Sequence, residues 1–191
     1  MVAAQSQLTA VAVFCASSTG DRPELISLAR DLGEHLASQN ITTIFGGSDA
    51  GLMGVVADAA LSRGGHVIGV YPENTFSRDV RHRGDIELRL VSSMHERKSA
   101  MFELADAAVA LPGGLGTLDE VVELLLWTRL GIHQVPLVLL DVATFWNNFI
   151  AFLDDAVSYG LLNADFRNSL ERVTDASLVI EVLDQLTKRR T

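Results

Sequence analysis

Lysine is almost missing from this chain of 191 residues: of its 15 basic residues only Lys98 and Lys188 are lysines, set against 24 acidic residues. The resulting net charge of −9 excludes a surface built to hold the backbone of DNA or RNA, which takes many cationic contacts. A small phosphorylated ligand stays open, because a local cluster of donors outweighs a distant negative field. Cysteine is scarcer still. Cys15 stands alone, which rules out an intrachain disulfide and fits a reducing compartment. No apolar run approaches the roughly 20 residues that cross a bilayer. The opening segment MVAAQSQLTA has neither the basic start nor the apolar stretch of a secretory signal, so a cytoplasmic location is expected. His35, His66, His82, His95 and His133 show no metal-ligand spacing, and no metal is expected. The chain also lacks a Gly-Lys-Ser/Thr phosphate loop and a Gly-x-Ser-x-Gly nucleophile elbow.

What is present is a core. Hydrophobic residues make up 48% of the chain, enough for one compact domain spanning residues 1–191. Short apolar runs at Leu8–Cys15, Ile41–Phe45, His66–Tyr71, Glu87–Val91, Ala107–Leu111 and Val135–Leu140 read as strands. Between them lie stretches with helical spacing, such as Leu25, Leu28, Ala29, Leu32 and Leu36 behind Pro23. Further helices are expected at 51–63, 94–105, 117–130 and 144–159, with a last pair at 164–170 and 176–188. Strand–helix alternation of this kind predicts an α/β fold, a Rossmann-like three-layer sandwich with a mainly parallel sheet and helices on both faces. The polar stretch from Pro72 to Asp85 is long for an ordinary connection and reads as a lid or binding loop. Ligands of such sheets sit beyond the carboxyl ends of the strands.

Three strand–helix turns there carry small residues: Cys15-Ala16-Ser17-Ser18-Thr19-Gly20, Gly46-Gly47-Ser48-Asp49-Ala50-Gly51, and Pro112-Gly113-Gly114-Leu115-Gly116-Thr117. Any one of them serves equally as a tight turn. Two double-glycine turns on one domain favour a phosphate or nucleotide site, where backbone N–H groups and a helix dipole meet an anion. Ser93-Met94-His95-Glu96 has capping-box form, which puts Arg97 and Lys98 at the unfavourable positive end of the next helix. They read either as a solvated face or as functional cations. Thr117-x-x-Glu120 is a second capping-box pattern, so Glu120 either caps its helix or acts on a ligand. Near a helix N-terminus its carboxylate is expected to be ionised at neutral pH, suited to stabilising a cationic sugar or orienting water. Cys15 reads as a small residue ending a buried strand. Leu124-Leu125-Leu126-Trp127 is apolar around its whole turn, which calls for deep burial or cover from a second subunit.

In combination these motifs resemble the LOG ("lonely guy") family of cytokinin riboside 5′-monophosphate phosphoribohydrolases, long labelled lysine decarboxylases. Residues 112–120 are similar to its PGGxGTxxE signature, Gly46-Gly47 with Gly51-Leu52-Met53-Gly54 to its GGxxxGLMG, and Met94–Lys98 to its MHxRK. Leu130-Gly131-Ile132-His133 with Pro136 is similar to its LGIHxxP. The resemblance implies hydrolysis of the N-glycosidic bond of a cytokinin riboside 5′-monophosphate, and of AMP, to free base and ribose 5-phosphate, without a cofactor. It implies Arg97 and Glu120 as the catalytic pair. Lys98, Gly113, Gly114, Gly116 and Thr117 would hold the ribose 5-phosphate end, with Ser17, Gly46, Gly47, Asp79 and Met94 around the nucleotide. It also implies a homodimer. Ala16 and Ser48 stand where the family often has glycine, and both bear on base preference. Two other classes fit parts of the pattern. A pyridoxal-phosphate decarboxylase would need Lys98 as its Schiff-base lysine, and a nucleotide-binding or carrier module would share the fold without catalysis.

Overall fold

A computed structural model describes residues 8–73 and 80–189. Its strands are β1 (Ala10–Phe14), β2 (Thr42–Phe45), β3 (Val67–Pro72), β4 (Glu87–Val91), β5 (Ala107–Ala110), β6 (Leu137–Leu140) and β7 (Glu171–Val173). The helices are α1 (Pro23–Ser38), α2 (Gly51–Ser62), α3 (Met94–Leu104), α4 (Leu115–Arg129), α5 (Asn147–Ser158), α6 (Ala164–Asn168) and α7 (Val179–Lys188). The strands form one sheet in the order β4-β3-β2-β1-β5-β6-β7, and every pairing is parallel.

Period-two alternation along the central strands builds a core on each face. Val11 and Val13 of β1, with Cys15 just beyond it, pack with Leu28, Leu32 and Leu36 of α1 and Leu183 and Leu186 of α7. Ala12 and Phe14 point the other way, to Met101 and Phe102 of α3 and Val121 and Leu124 of α4. α2 covers Phe45 and Val67 through Ala57 and Ala60. The result is the three-layer sandwich read from the sequence.

Two boundaries differ from the expected ones with consequences. Residues 171–173 carry no strand signal, because Glu-Arg-Val has no apolar run. β7 nevertheless forms at the sheet edge, where Asp141 N–H donates to Val173 O at 2.7 Å and Arg172 reaches the Asp141 carboxylate at 3.3 Å. The other is α4, which begins at Leu115 rather than Thr117.

The chain runs outward from β1 through β2, β3 and β4, then returns to β5 on the opposite side of β1. This reversal opens a crevice beyond the carboxyl ends of β1 and β5.

Candidate active site

A cleft of about 520 Å³ occupies that crevice. Its walls come from the three small-residue turns, the first turns of α2, α3 and α4, Tyr71 near the end of β3 and Val80. Of the expected site residues, Ser17, Gly46, Met94, Arg97, Gly114, Gly116, Thr117 and Glu120 line it. Gly47, Gly113 and Lys98 stand behind the lining. Asp79 lies outside the described residues, as does the rest of 74–79 within the stretch read as a lid.

The early start of α4 changes how its N-terminus works. Gly114 is the N-cap, no side chain caps it, and the first turn carries no acid. The N–H groups of Leu115, Gly116 and Thr117 are therefore left to whatever enters the cleft. Around Gly114 and Gly116 no protein atom lies within 4 Å of where a Cβ would sit, so the space they leave belongs to the cleft and not to packing. Gly113 works differently: a Cβ there would overlap the Thr117 side chain. Thr117 itself is 3% exposed, and its Oγ1 is buried without a hydrogen-bond partner. A buried hydroxyl left unpaired is costly, which marks this one for a ligand.

Glu120 is thus a second-turn residue, and the capping-box reading of it does not hold. It is 6% exposed. Its Oε1 accepts from Arg97 Nη1 at 3.2 Å. The expectation of an ionised carboxylate at neutral pH is also corrected. Burial pushes its pKa up, to about 7, against the downward pull of Arg97, with neighbouring Asp119 adding to the rise. Glu120 therefore titrates at the centre of the physiological range.

Arg97 comes from α3. That helix starts as expected, with Ser93 Oγ accepting from Glu96 N–H at 3.1 Å, although the Glu96 carboxylate turns back to Ser92 rather than Ser93. Arg97, Lys98, Met101 and Phe102 form its buried stripe, so both cations are drawn inward. Arg97 Nε donates to Val70 O at 3.1 Å, which fixes the guanidinium between β3 and α4. Its remaining room comes from Gly46, where a Cβ would overlap Arg97 Nη2.

Lys98, expected at the ribose 5-phosphate end, turns to two carboxylates of α4. Its Nζ donates to Asp119 Oδ2 at 2.8 Å and pairs with Glu123. Burial works against its ammonium form, but the hydrogen bonds and charges of Asp119 and Glu123 outweigh this and hold its pKa above the usual lysine value. Cys15 lines the cleft as a thiol, with its pKa raised by burial and by nearby Glu120. That fits a small residue closing a strand, not a nucleophile.

Several lining residues were not among the expected site residues. Tyr71 is the last residue but one of β3, and an aromatic near the carboxyl end of a strand is a signal for it. Ser48, Ala50, Met53 and Leu115 belong to the turn and helix motifs but carried no site role there, and Val80 gave no signal. Val80 reaches the wall because the returning chain is sewn to the β2–α2 turn: Ser48 pairs with Arg81 in an antiparallel bridge, and His82 N–H donates to Gly47 O at 3.0 Å. His82 then acts as a rivet. Its Nδ1 accepts from Gly84 N–H at 3.0 Å, which leaves Nε2 facing Asp58 at 3.2 Å and Asp49 at 3.7 Å, with the side chain 1% exposed.

Strand order reversing at β1, with a cleft opening at the reversal, places the chain in the Rossmann-like class of α/β folds. Known structures agree. The molybdenum cofactor binding protein of Rippkaea orientalis superposes with a TM-score of 0.68 at 22% identity, covering 93% of this chain and 94% of that one. The molybdenum cofactor carrier protein of Chlamydomonas reinhardtii gives 0.66 at 21%, covering 94% and 98%. At such identity they speak for the fold alone.

Sequence relatives are more particular. The family model described as "Possible lysine decarboxylase" matches residues 53–183. A probable cytokinin riboside 5′-monophosphate phosphoribohydrolase of Oryza sativa subsp. japonica, LOGL9, is 42% identical over 95% of this chain and 80% of its own length. The Arabidopsis thaliana enzyme LOG1, a cytokinin riboside 5′-monophosphate phosphoribohydrolase, is 36% identical over 97% and 87%. The chain belongs to this LOG family. The decarboxylase label finds no support in the site, since a Schiff-base lysine must shed its proton and Lys98 is held as an ammonium by two carboxylates.

Proposed function

We propose that this chain is a phosphoribohydrolase: it hydrolyses the N-glycosidic bond of cytokinin riboside 5′-monophosphates and of AMP, giving free base and ribose 5-phosphate. The observation that carries the reading is one cleft holding both an uncapped helix N-terminus with an unpaired Thr117 hydroxyl and, from the next turn of the same helix, the buried Glu120–Arg97 pair.

The 5′-phosphate takes the N–H groups at the start of α4 and the Thr117 hydroxyl, in the room left by Gly114 and Gly116, while Gly113 makes room for the Thr117 side chain itself. Anchored there, the nucleotide spans the cleft with its anomeric carbon toward Glu120, and binding energy at the phosphate end orients the reacting end. As the base leaves, the ribose ring gains positive charge. Ionised Glu120 stabilises that charge and orients the attacking water, and a pKa near 7 lets it take the proton that water gives up as the hydroxyl joins the anomeric carbon and release it to the base nitrogen that left with the bonding pair. Arg97, fixed by Val70 O, keeps the carboxylate turned inward. Ser17, Met94, Tyr71 and Val80 form the walls around ribose and base, with Gly46 and Gly47 shaping the turn beneath. By the family resemblance alone, Asp79 is the acidic residue near the ligand. The reaction needs neither metal nor organic cofactor.

The chain works as one nucleotide-binding domain in the cytoplasm, in keeping with a lone thiol; no described helix is long and apolar enough to cross a membrane. It works as a homodimer. Leu115, Val122, Leu126 and Leu130 lie along one side of α4 and are 86%, 47%, 47% and 64% exposed, an apolar stripe that a second copy would cover.

Substitution separates the two ends of the cleft. Thr117→Val is expected to raise the KM for AMP about tenfold, the loss of one charge-assisted hydrogen bond. Glu120→Gln is expected to keep AMP binding while turnover falls about 10²–10⁴-fold. Wild-type turnover in Glu120→Gln would contradict the assignment. Binding of AMP by the unsubstituted protein without release of base would favour a carrier module instead.

A further inference from the structure

Two consecutive cations on α3 face three carboxylates on α4. Arg97 takes Glu120, and Lys98 takes Asp119 and Glu123, which precede and follow Glu120 by one residue and by three. The Lys98 side chain is 11% exposed, its ammonium is spent on these two partners, and it does not line the cleft. Without it, one turn and a half of helix would carry three like charges, one of them buried against Arg97.

We infer that Lys98 is a positioning residue for the reaction: it neutralises the carboxylates on either side of Glu120 and so sets the pH at which the catalytic carboxylate ionises, rather than gripping the substrate's phosphate. This rests on the proposed role of ionised Glu120. Among the described residues, the charged and titratable groups shown to bear on Glu120 are few. Arg97 and Lys98 approach from α3, Asp119 from its own helix, and the Cys15 thiol from the end of β1. Glu123 bears on Lys98 and on His95, whose Nδ1 lies 3.6 Å from it. Lys98 lowers the Glu120 pKa and Asp119 raises it, the two acting with opposite sign. Removing the cation also frees both flanking carboxylates, so the two losses add.

The test is the pH dependence of kcat/KM for AMP in the wild type, Lys98→Met, Asp119→Asn and the double variant, together with a ¹³C NMR titration of the Glu120 carboxyl. Activity rises with pH as Glu120 ionises. Lys98→Met is expected to displace that rise to higher pH, so that activity at pH 6 drops about tenfold if the midpoint climbs by one on the pH scale, with the KM for AMP little changed at high pH. Asp119→Asn, an exposed position that leaves the core intact, is expected to displace it to lower pH, and the double variant to fall between. Should Lys98→Met not fold, the direction in which Asp119→Asn displaces the profile decides. A Lys98→Met profile unmoved in pH but with a KM for AMP raised tenfold or more would overturn the inference and make Lys98 a phosphate ligand. The NMR titration keeps the two proposals apart. Glu120 moving as expected without any turnover would sink the hydrolase reading alone, whereas turnover with an unmoved Glu120 would sink this one.

Discussion

Glu120 shows how one side chain joins stability to chemistry. Its pKa is raised by burial from 4.5 to about 7, so the folded protein prefers the protonated form. That preference stabilises the fold fully below about pH 4.5 and is lost as the pH climbs through about 7. The working form proposed for catalysis, in contrast, is the ionised one. Wild-type stability is therefore expected to decline between pH 5 and pH 8 relative to Glu120→Gln. Urea denaturation of both proteins across that range checks this, and parallel pH profiles would contradict it. Gly46 gives a second residue-scale test. Any side chain there meets Arg97, so Gly46→Ala is expected to displace the guanidinium and lower kcat/KM by about 10²-fold or more. A variant with unchanged kinetics would show that the position of Arg97 does not matter. Part of this was legible beforehand. Arg97 and Lys98 stood out because cations at a helix start break a local rule, and Glu120 stood out in its motif. Where their charges would go was not legible. Helix position alone argues for an ionised Glu120, and only the packing of α3 against α4 reveals the desolvation that outweighs it. The partners of Lys98 depend on the same packing.

Elements with a continuous apolar pattern were readable because burial on both faces leaves a plain trace. Thus β1, β2, β3, β5 and β6 all appear within two residues or so of their expected bounds. β7 left no such trace, being three residues long at an edge, with Glu171 and Arg172 in its sequence. The start of α4 was misplaced because Thr117 and Glu120 mimic a capping box, whereas the true cap is a glycine without any side chain. The bare end of α4 is the feature that a ligand completes. A further element, the segment returning from the loop after β3, is held to α2 through His82 and Asp58. Breaking that rivet with His82→Ala loosens the wall formed by Ser48 and Val80 but leaves Glu120 and Arg97 in place. The expected result is a KM for AMP raised about tenfold, with kcat within about twofold of wild type. Asp58→Asn should change KM in the same direction, and the two substitutions together should be less than additive, as expected for groups in contact. Loss of kcat instead would place His82 in the chemistry.

For the whole molecule, the acidic surface and the apolar side of α4 pull in different directions. A net charge of −9 favours solubility and repels polyanions, so the proposed nucleotide affinity rests on the local cluster at α4 and Arg97. The stripe of Leu115, Val122, Leu126 and Leu130 is large for a surface left to water, and Leu115 stands at the mouth of the cleft. Replacing Leu126 and Leu130 together by Glu is expected to convert a dimer to a monomer by light scattering. An unchanged mass would contradict the assignment of that face. A dimer is what the family resemblance implies, and the unbroken apolar turn near Trp127 is the one residue-level sign of it in the sequence. In the fold that ring is half-buried against Phe102, and it is Leu126 beside it that remains exposed.

The most direct measurement is product analysis. The purified protein is incubated with AMP and with N6-isopentenyl-AMP, and with the two corresponding nucleosides, and free base and ribose 5-phosphate are quantified by chromatography. The expected result is equimolar base and ribose 5-phosphate from the monophosphates and none from the nucleosides, because without a phosphate nothing anchors the sugar at the start of α4. Release of nucleoside and inorganic phosphate, equal release of base from nucleosides, or binding of the monophosphates without any cleavage would each contradict hydrolysis of the glycosidic bond as the function of this cleft.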